Sequence, residues 1–209
     1  MEGKKIIKQE KYINITEDFM NSIFNFFIEK KELKKGIPYC MKKYSRKSFA
    51  CSGQSELNRY NILFVPENVY SENKDVIETH RYFMDYLKHY GFNYLYVMKK
   101  YEMNFYQVYC MISILHEIGH IITMNKSIDI HGYNKIYVES QSEYYYNEFL
   151  SGEMQGRHYR GIECERIADK KAVRLFNKYE KEMIEFFLRI EIEMIEFFLR
   201  IEIEVKEVN

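Results

Sequence analysis

The stretch His116–His120 has the sequence His-Glu-Ile-Gly-His, and the stretch Glu165–Asp169, which begins 45 positions after His120, has the sequence Glu-Arg-Ile-Ala-Asp. In a helix, His116 and His120 lie one turn apart on the same face, so both imidazoles can reach one ion. Glu117 then points to the side of that ion, where a bound water would sit. The first stretch therefore predicts a metal-binding helix.

The two histidines alone are one ligand short of an open zinc site. Zinc held by three protein ligands keeps a fourth position for water and lowers the pKa of that water to about 7, so that a neighbouring carboxylate can make it a nucleophile. The second stretch offers Glu165 as the third ligand. Asp169, one helical turn further on, could orient a ligating imidazole through a hydrogen bond.

A helix is predicted around the histidine pair. Asn104, with Gln107 three residues later, is typical of a helix start. Apolar residues then recur at intervals of three and four, which indicates a helix from about 104 to 124 with the motif near its C-terminal end. The alternative is a buried helix in which two histidines happen to be four residues apart.

The positions of the alanines support the interpretation of the second stretch as part of the site. The chain contains only three alanines, and two of them, Ala168 and Ala172, fall in the pattern E-x-x-A-D-x-x-A that begins at Glu165. Because small side chains let two helices approach closely, we expect the Glu165 helix to pack on the histidine-bearing helix. The alternative is an ordinary helix that turns a solvated face of Glu, Arg and Lys outward.

Together the two motifs resemble those of the gluzincin metallopeptidases, and among these the compact ImmA/IrrE-type peptidases of phages, prophages and mobile elements. The resemblance implies that His116, His120 and Glu165 bind zinc (Zn2+), that Glu117 acts as general base and later as general acid, and that Asp169 supports a histidine. Two features depart from the family pattern. Glu165 follows His120 by 45 positions, which is a longer spacing than in the usual compact version, and we expect no helix-turn-helix domain before the motifs, although many family members have one.

Composition narrows the class of protein. With 46% hydrophobic and 17% aromatic residues in a chain of 209, wholesale disorder is excluded. Lys+Arg and Asp+Glu both number 31, so we expect no nucleic-acid binding through bulk charge. The N-terminal residues lack the apolar segment of a signal peptide, and no apolar run approaches the ~18 residues of a membrane span. We therefore expect a cytoplasmic protein.

Four further residues were candidates for the site. Cys164 would project about 100° away from its neighbour Glu165 on a helix, which favours a free thiol over a ligand. His131 is an alternative metal ligand, in a site whose geometry differs from that of the two motifs. His158 or Tyr159 could donate to the oxyanion of a tetrahedral intermediate, although an ordinary surface pair is favoured.

The rest of the chain predicts a scaffold of helices and short strands. A small sheet beside the histidine helix would suit a peptidase, because an edge strand holds an extended peptide by backbone hydrogen bonds. The predicted elements are helices from residues 14–17 to about 35 and over 71–90, strands at 48–51, 62–65 and 93–98, and loops over 125–160 with a short strand at 135–138.

The C-terminal region contains a duplication, in which residues 182–192 recur unchanged as residues 193–203. Eleven residues are close to three helical turns, so each copy presents the same narrow charged stripe and the same broad apolar face. Such a helix must bury most of its circumference, either on the catalytic domain or through self-association with another chain. We predict a helix to about residue 200, with a strand over the last eight residues as the alternative.

The predicted fold class is α+β, with a zincin-like domain over residues 1–181 and a helical extension over residues 182–209. The predicted function is zinc-dependent hydrolysis of a peptide or protein substrate through a zinc-bound water activated by Glu117, by an endopeptidase rather than an exopeptidase. The alternatives are a regulatory mobile-element protein that cleaves a repressor-like partner, and a non-catalytic zinc-binding protein. Glu117 favours the enzyme, because a structural zinc site needs no base beside its ligands.

Overall fold

The computed structural model describes residues 15–45, 49–52, 61–67, 69, 73–131 and 163–189. This part of the chain has the α+β architecture expected from the sequence. Its elements are α1 (Glu17–Glu29), β1 (Tyr39–Tyr44), β2 (Ala50–Ser52), β3 (Asn61–Pro66), α2 (Lys74–Tyr86), a 3₁₀ helix (Leu87–Tyr90), α3 (Tyr94–Tyr101), α4 (Phe105–His131), α5 (Glu163–Lys178) and α6, which covers residues 180–189.

The first helix, α1, begins where the sequence predicts, because the Thr16 side chain accepts a hydrogen bond from the first turn. It ends at Glu29, earlier than the predicted end near residue 35. Lys31 adopts a left-handed φ of 60°, and the N–H of Leu33 bonds back to the carbonyl of Phe27 at 3.1 Å. This turn stops the helix and buries Leu33 in the core.

The sheet has three strands in the order β1-β3-β2, with β1 parallel and β2 antiparallel to the central strand β3. The predictions of strands at 48–51 and 62–65 are confirmed to within two residues by β2 and β3. Leu63 and Val65 of β3 are fully buried. The sheet lies against α1 on the β1 side, while β2 and β3 contact α4.

The described elements between the sheet and α4 are all helices. The prediction of a helix over 71–90 is confirmed over residues 74–90, where Asn73 caps α2 and Gly91 ends the 3₁₀ helix with a φ of 90°. The predicted strand at 93–98 is wrong, because these residues begin α3. Asn93 accepts a hydrogen bond from Tyr96 N–H and starts the helix. A short apolar run such as this one is compatible with the periodicity of a helix as well as with that of a strand.

The histidine-bearing helix, α4, starts as predicted and ends later than predicted. Asn104 and Gln107 exchange hydrogen bonds of 2.7 and 2.9 Å between backbone N–H groups and side-chain oxygens, which forms a capping box. The helix runs to His131, so the predicted end near 124 and the loop predicted over 125–131 are wrong. No glycine or proline interrupts the chain between Gly119 and Gly132, and the polar residues there are tolerated in a helix. The short strand predicted at 135–138 lies outside the described residues.

The helix α5 packs along α4, and the predicted close approach is confirmed at one point. A Cβ placed on Gly119 of α4 would lie 2.9 Å from the carbonyl oxygen of Ala168 in α5 and 3.0 Å from the Cβ of Lys171. Ala168 and Ala172 are both completely buried. The two stretches of the motif are therefore joined directly by a contact between backbones.

The helix α6 contains the first copy of the duplication up to residue 189. Met183 and Phe187 are buried in the same apolar core as α1, and the ring of Phe187 meets that of Phe19 edge to face at 5.1 Å. The described part of the first copy thus covers the core, and the second copy over 193–203 lies outside the described residues. The division into domains at residue 182 remains a prediction. No helix in the described ranges is long and apolar enough to cross a membrane.

Candidate metal site

Three of the predicted site residues converge at the contact between α4 and α5. His116 and His120 project from α4, and Glu165 from the first turns of α5. One ligand atom from each of the three lies within 4.8 Å of the others, which is close enough to hold a single metal ion. His116 and Glu165 are buried at 3% and 7% exposure, whereas His120 is partly open to solvent.

The atoms of this group face one another. Nε2 of His116 lies 3.1 Å from Oε2 of Glu165 and 3.1 Å from Nε2 of His120. Nε2 of His120 lies 3.3 Å from Oε1 of Glu165. Ligand atoms placed about 2.0–2.2 Å from a tetrahedral zinc ion are separated by similar distances. The three side chains need little rearrangement to surround such an ion.

Asp169 decides which nitrogen of His116 faces the group. Its Oδ1 atom lies 2.8 Å from Nδ1 of His116, and the aspartate is completely buried. A carboxylate can only accept, so the ring carries a hydrogen on Nδ1. In the neutral ring the lone pair on Nε2 then points toward the Glu165 carboxylate, which is also an acceptor. Two acceptors at this distance require either a proton or a metal ion between them.

The pKa shifts of His116 and Glu165 also favour a positive charge at the histidines. Burial lowers the pKa of His116, but contacts with Asp169 and Glu165 outweigh it and raise this pKa to about 9. Burial raises the pKa of Glu165, yet the neighbouring His120 and His116 hold it well below its ordinary value. The buried carboxylates thus stabilise a cation at the histidines, whether that cation is a proton or a metal.

Glu117 lies beside the group without belonging to it. Its Oε1 atom is 4.0 Å from Nε2 of His116, and the residue is 7% exposed. At this separation the carboxylate does not share the space between the three ligand atoms, but it can reach a water bound there.

Two neighbours of the site were not singled out by the sequence patterns. Phe83 of α2 meets the His116 ring edge to face at 5.8 Å and closes the apolar side of the site. Gly119 lies between the two histidines and permits the contact with Ala168. Glycine in the interior of a helix costs stability relative to alanine, so its position inside the motif was a signal of a packing requirement.

The remaining candidates stay untested. The side chains of His131 and Cys164, and the whole of His158 and Tyr159, lie outside the described part of the chain. His80 is described and buried, but it stacks on Tyr109 at 4.0 Å and is not part of the metal-binding group.

Comparisons of the chain with protein-family models, with curated proteins and with solved structures each found no match.

Proposed function

We propose that the protein is a zinc-dependent metallopeptidase. The observation that carries the proposal is the group of His116, His120 and Glu165, whose ligand atoms lie within 4.8 Å of one another at a contact between two helices. Three ligands leave a position open for water and substrate, as in catalytic zinc sites. Asp169 behind one histidine and Glu117 beside the group complete the set of residues that such a peptidase requires.

Each side chain has a distinct role in this proposal. Zinc bound by the three ligands would polarise a peptide carbonyl and acidify a water molecule. Glu117 accepts a proton from the attacking water and passes it to the departing amine. Asp169 holds the ring of His116 in one orientation, with Nε2 directed inward. Phe83 excludes water from one side of that ring.

The position of β2 supports an extended peptide as the substrate. Among the described strands, β2 pairs only with β3 and lies at an edge of the sheet. Phe49, directly before β2, meets the ring of Tyr109 in α4 at 6.3 Å, so this edge runs beside the helix that carries the histidines. An edge strand can bind an extended chain through backbone hydrogen bonds. Such binding engages the middle of a polypeptide, which favours an endopeptidase.

The test separates metal binding from catalysis. The purified protein should contain about one zinc ion per chain, and Glu165→Ala should remove most of it, in the same way as His116→Ala. Glu117→Gln should retain zinc and lose hydrolysis, because an amide cannot accept the proton from water. The matched control is Glu102→Gln. It makes the same change at the exposed residue that caps the C-terminal end of α3, and it should cleave normally.

Metal content is measured by elemental analysis, and hydrolysis by mass spectrometry of a proteome digest. Cleavage by Glu117→Gln at the rate of the parent protein would refute the assigned base. A protein that holds zinc but cleaves nothing in the whole proteome would instead support the non-catalytic zinc-binding alternative.

A further inference from the structure

The outer side of α5 carries a line of positive charge. Glu165 and Asp169 point inward to α4, whereas four basic residues recur at every fourth position along the helix: Arg166, Lys170, Arg174 and Lys178. Four residues advance a helix by about 6 Å and slightly more than one turn, so these side chains follow one side of α5. The net charge of the chain is zero, which makes this concentration of cations local.

An open groove of about 480 Å³ lies along this line. It runs between α5 and the 3₁₀ helix and is lined by Tyr90, Lys170, Val173, Arg174, Asn177 and Lys178. The ammonium group of Lys170 lies 5.8 Å from the centre of the Tyr90 ring. Within the described ranges no carboxylate forms an ion pair with Lys170. The groove thus presents three cations and one aromatic ring to solvent.

One end of the groove already holds a carboxylate. Glu32, whose side chain is 10% exposed, accepts hydrogen bonds from Nη2 of Arg174 at 2.9 Å and from Nζ of Lys178 at 2.8 Å. The two basic side chains are still 51% and 54% exposed. A guanidinium has five N–H donors and an ammonium three, so donors remain for a second anionic group.

Tyr90 offers its ring without adding negative charge. Burial, together with a hydrogen bond to Tyr86, raises the pKa of Tyr90, so its phenol is neutral at physiological pH. A neutral ring beside the cations can contact the apolar part of a bound side chain.

We propose that this groove binds an extended, acidic segment of the protein substrate. In an extended chain, side chains at alternate positions lie on the same side, about 6.6 Å apart, which is close to the ~6 Å rise between successive cations of the groove. Alternating Glu or Asp residues would therefore meet Lys170 and Arg174 in turn.

An acidic peptide fits the groove better than a nucleic acid. Affinity for nucleic acid grows with the number of phosphates that Lys and Arg neutralise, whereas the groove offers three cations, two of which share Glu32. A short peptide with two or three carboxylates matches this limited charge. The segment would be bound about 8 Å along the helix axis from Glu165, on the opposite side of the same helix.

The assignment of the ligand as substrate rests on the proposed peptidase function, but binding to the groove does not. The test therefore measures binding first. A fluorescein-labelled peptide in which Glu and Ser alternate is titrated with the full chain and followed by fluorescence anisotropy, with the corresponding Gln/Ser peptide as control. Binding should be specific to the Glu peptide and weaken as salt is added.

Lys170→Glu is the decisive variant because it reverses a charge without touching Glu32. It should weaken binding of the Glu peptide at least fivefold, and Lys170→Gln by about two- to fivefold, as expected for loss of an exposed ion pair. Lys74→Glu, which makes the same reversal on an exposed side chain at the start of α2, should have little effect. Circular dichroism checks that all three variants remain folded.

Several outcomes would overturn the groove as a peptide site. These are equal binding of both peptides, an equal loss in Lys74→Glu, or tighter binding of a single-stranded DNA oligonucleotide that Lys170→Glu also weakens. Stronger binding of the labelled Glu peptide to a variant with both Glu202→Gln and Glu204→Gln would also overturn the groove as a substrate site. The acidic C-terminal segment of the chain itself would then be the occupant.

Glu117→Gln separates this proposal from the proposed function. It should bind the Glu peptide as tightly as the parent protein does. If the peptide binds but no protein is hydrolysed, the peptidase function fails while the groove stands. If hydrolysis is found but the peptide does not bind, only the groove fails.

Discussion

Oδ1 of Asp169 lies 2.8 Å from Nδ1 of His116, while the other nitrogen of the same ring lies 3.1 Å from Glu165. The two acidic residues belong to α5 and the histidine to α4, so α5 both supplies a candidate ligand and contacts the candidate ligand on its neighbour. In the proposed zinc site, metal affinity would therefore depend on a residue that does not touch the metal.

Replacement of Asp169 tests this dependence. Asp169→Ala removes the acceptor for the Nδ1 hydrogen of His116 and should weaken zinc binding by about 10–100-fold. Asp169→Asn keeps an acceptor oxygen but loses the charge, so its zinc affinity should be intermediate. Competition with a chromogenic chelator measures both, with the exposed Asp85→Asn as control. Parent-like affinity in Asp169→Ala would remove Asp169 from the site.

Gly119→Ala should destabilise the protein although alanine favours helices. Helix propensity alone predicts a gain of about 1 kcal/mol. The added Cβ, however, would lie 2.9 Å from the backbone oxygen of Ala168, and such overpacking costs about 1–3 kcal/mol. We expect a net loss in the free energy of unfolding by chemical denaturation, together with weaker zinc binding as α5 shifts.

The same helix offers a matched control for this substitution. Ser113 is buried, and its hydroxyl has no hydrogen-bond partner among the described residues. Ser113→Ala should therefore leave stability unchanged or raise it slightly. A gain in stability for Gly119→Ala would mean that α4 and α5 are not in close contact at this point.

His80 should make stability depend on pH. Burial lowers its pKa to about 4 from the ordinary 6.5, so between these values the unfolded chain binds a proton that the folded chain does not. The contribution of His80 to the free energy of unfolding is fully present above pH 6.5 and declines as the pH falls toward 4, by up to about 3 kcal/mol. His80→Phe keeps a ring against Tyr109 and removes the titration.

Denaturant titrations of the parent and of His80→Phe between pH 7 and 4 measure this effect. The variant should lose less stability than the parent over the acidic part of the range. Parallel curves for the two proteins would show that His80 takes up its proton equally well in the folded state.

Glu32 should contribute more to stability than an exposed ion pair does. It is largely buried and accepts hydrogen bonds from Arg174, Lys178 and Tyr179, all near the end of α5. These contacts lower its pKa although burial opposes this. Glu32→Gln should cost about 1–2 kcal/mol, measured by thermal unfolding. Asp85→Asn, which breaks an exposed pair with Lys88, should cost much less, and equal losses would contradict the prediction.

The histidine pair of the candidate site could be predicted from the sequence because its geometry depends on local rules. The spacing of His116 and His120 fixes their relation on any helix, and the capping box at Asn104 and Gln107 fixes where that helix starts. The proximity of Glu165 is not local. The second motif and the two scarce alanines within it predict this proximity.

The errors fall where local patterns were ambiguous or where partners are distant in sequence. The run at 93–98 carries apolar residues on both possible faces, so only the cap at Asn93 decides for a helix. The sequence does not predict the strand β1, because the consecutive polar residues Lys42 and Lys43 interrupt the apolar pattern of a strand. It exists by pairing with β3, about twenty residues away in the chain.

The contact of Gly119 with Ala168 also has a consequence for how the chain can vary between the two motifs. The relative positions of the ligands are set by the meeting of two helices, not by the 45 positions that separate His120 from Glu165. Doubling the length of a flexible connection costs only about 0.6 kcal/mol in closure entropy. We therefore expect insertions between the end of α4 and the start of α5 to be tolerated, because the contact between the two helices still brings the same candidate donor atoms together.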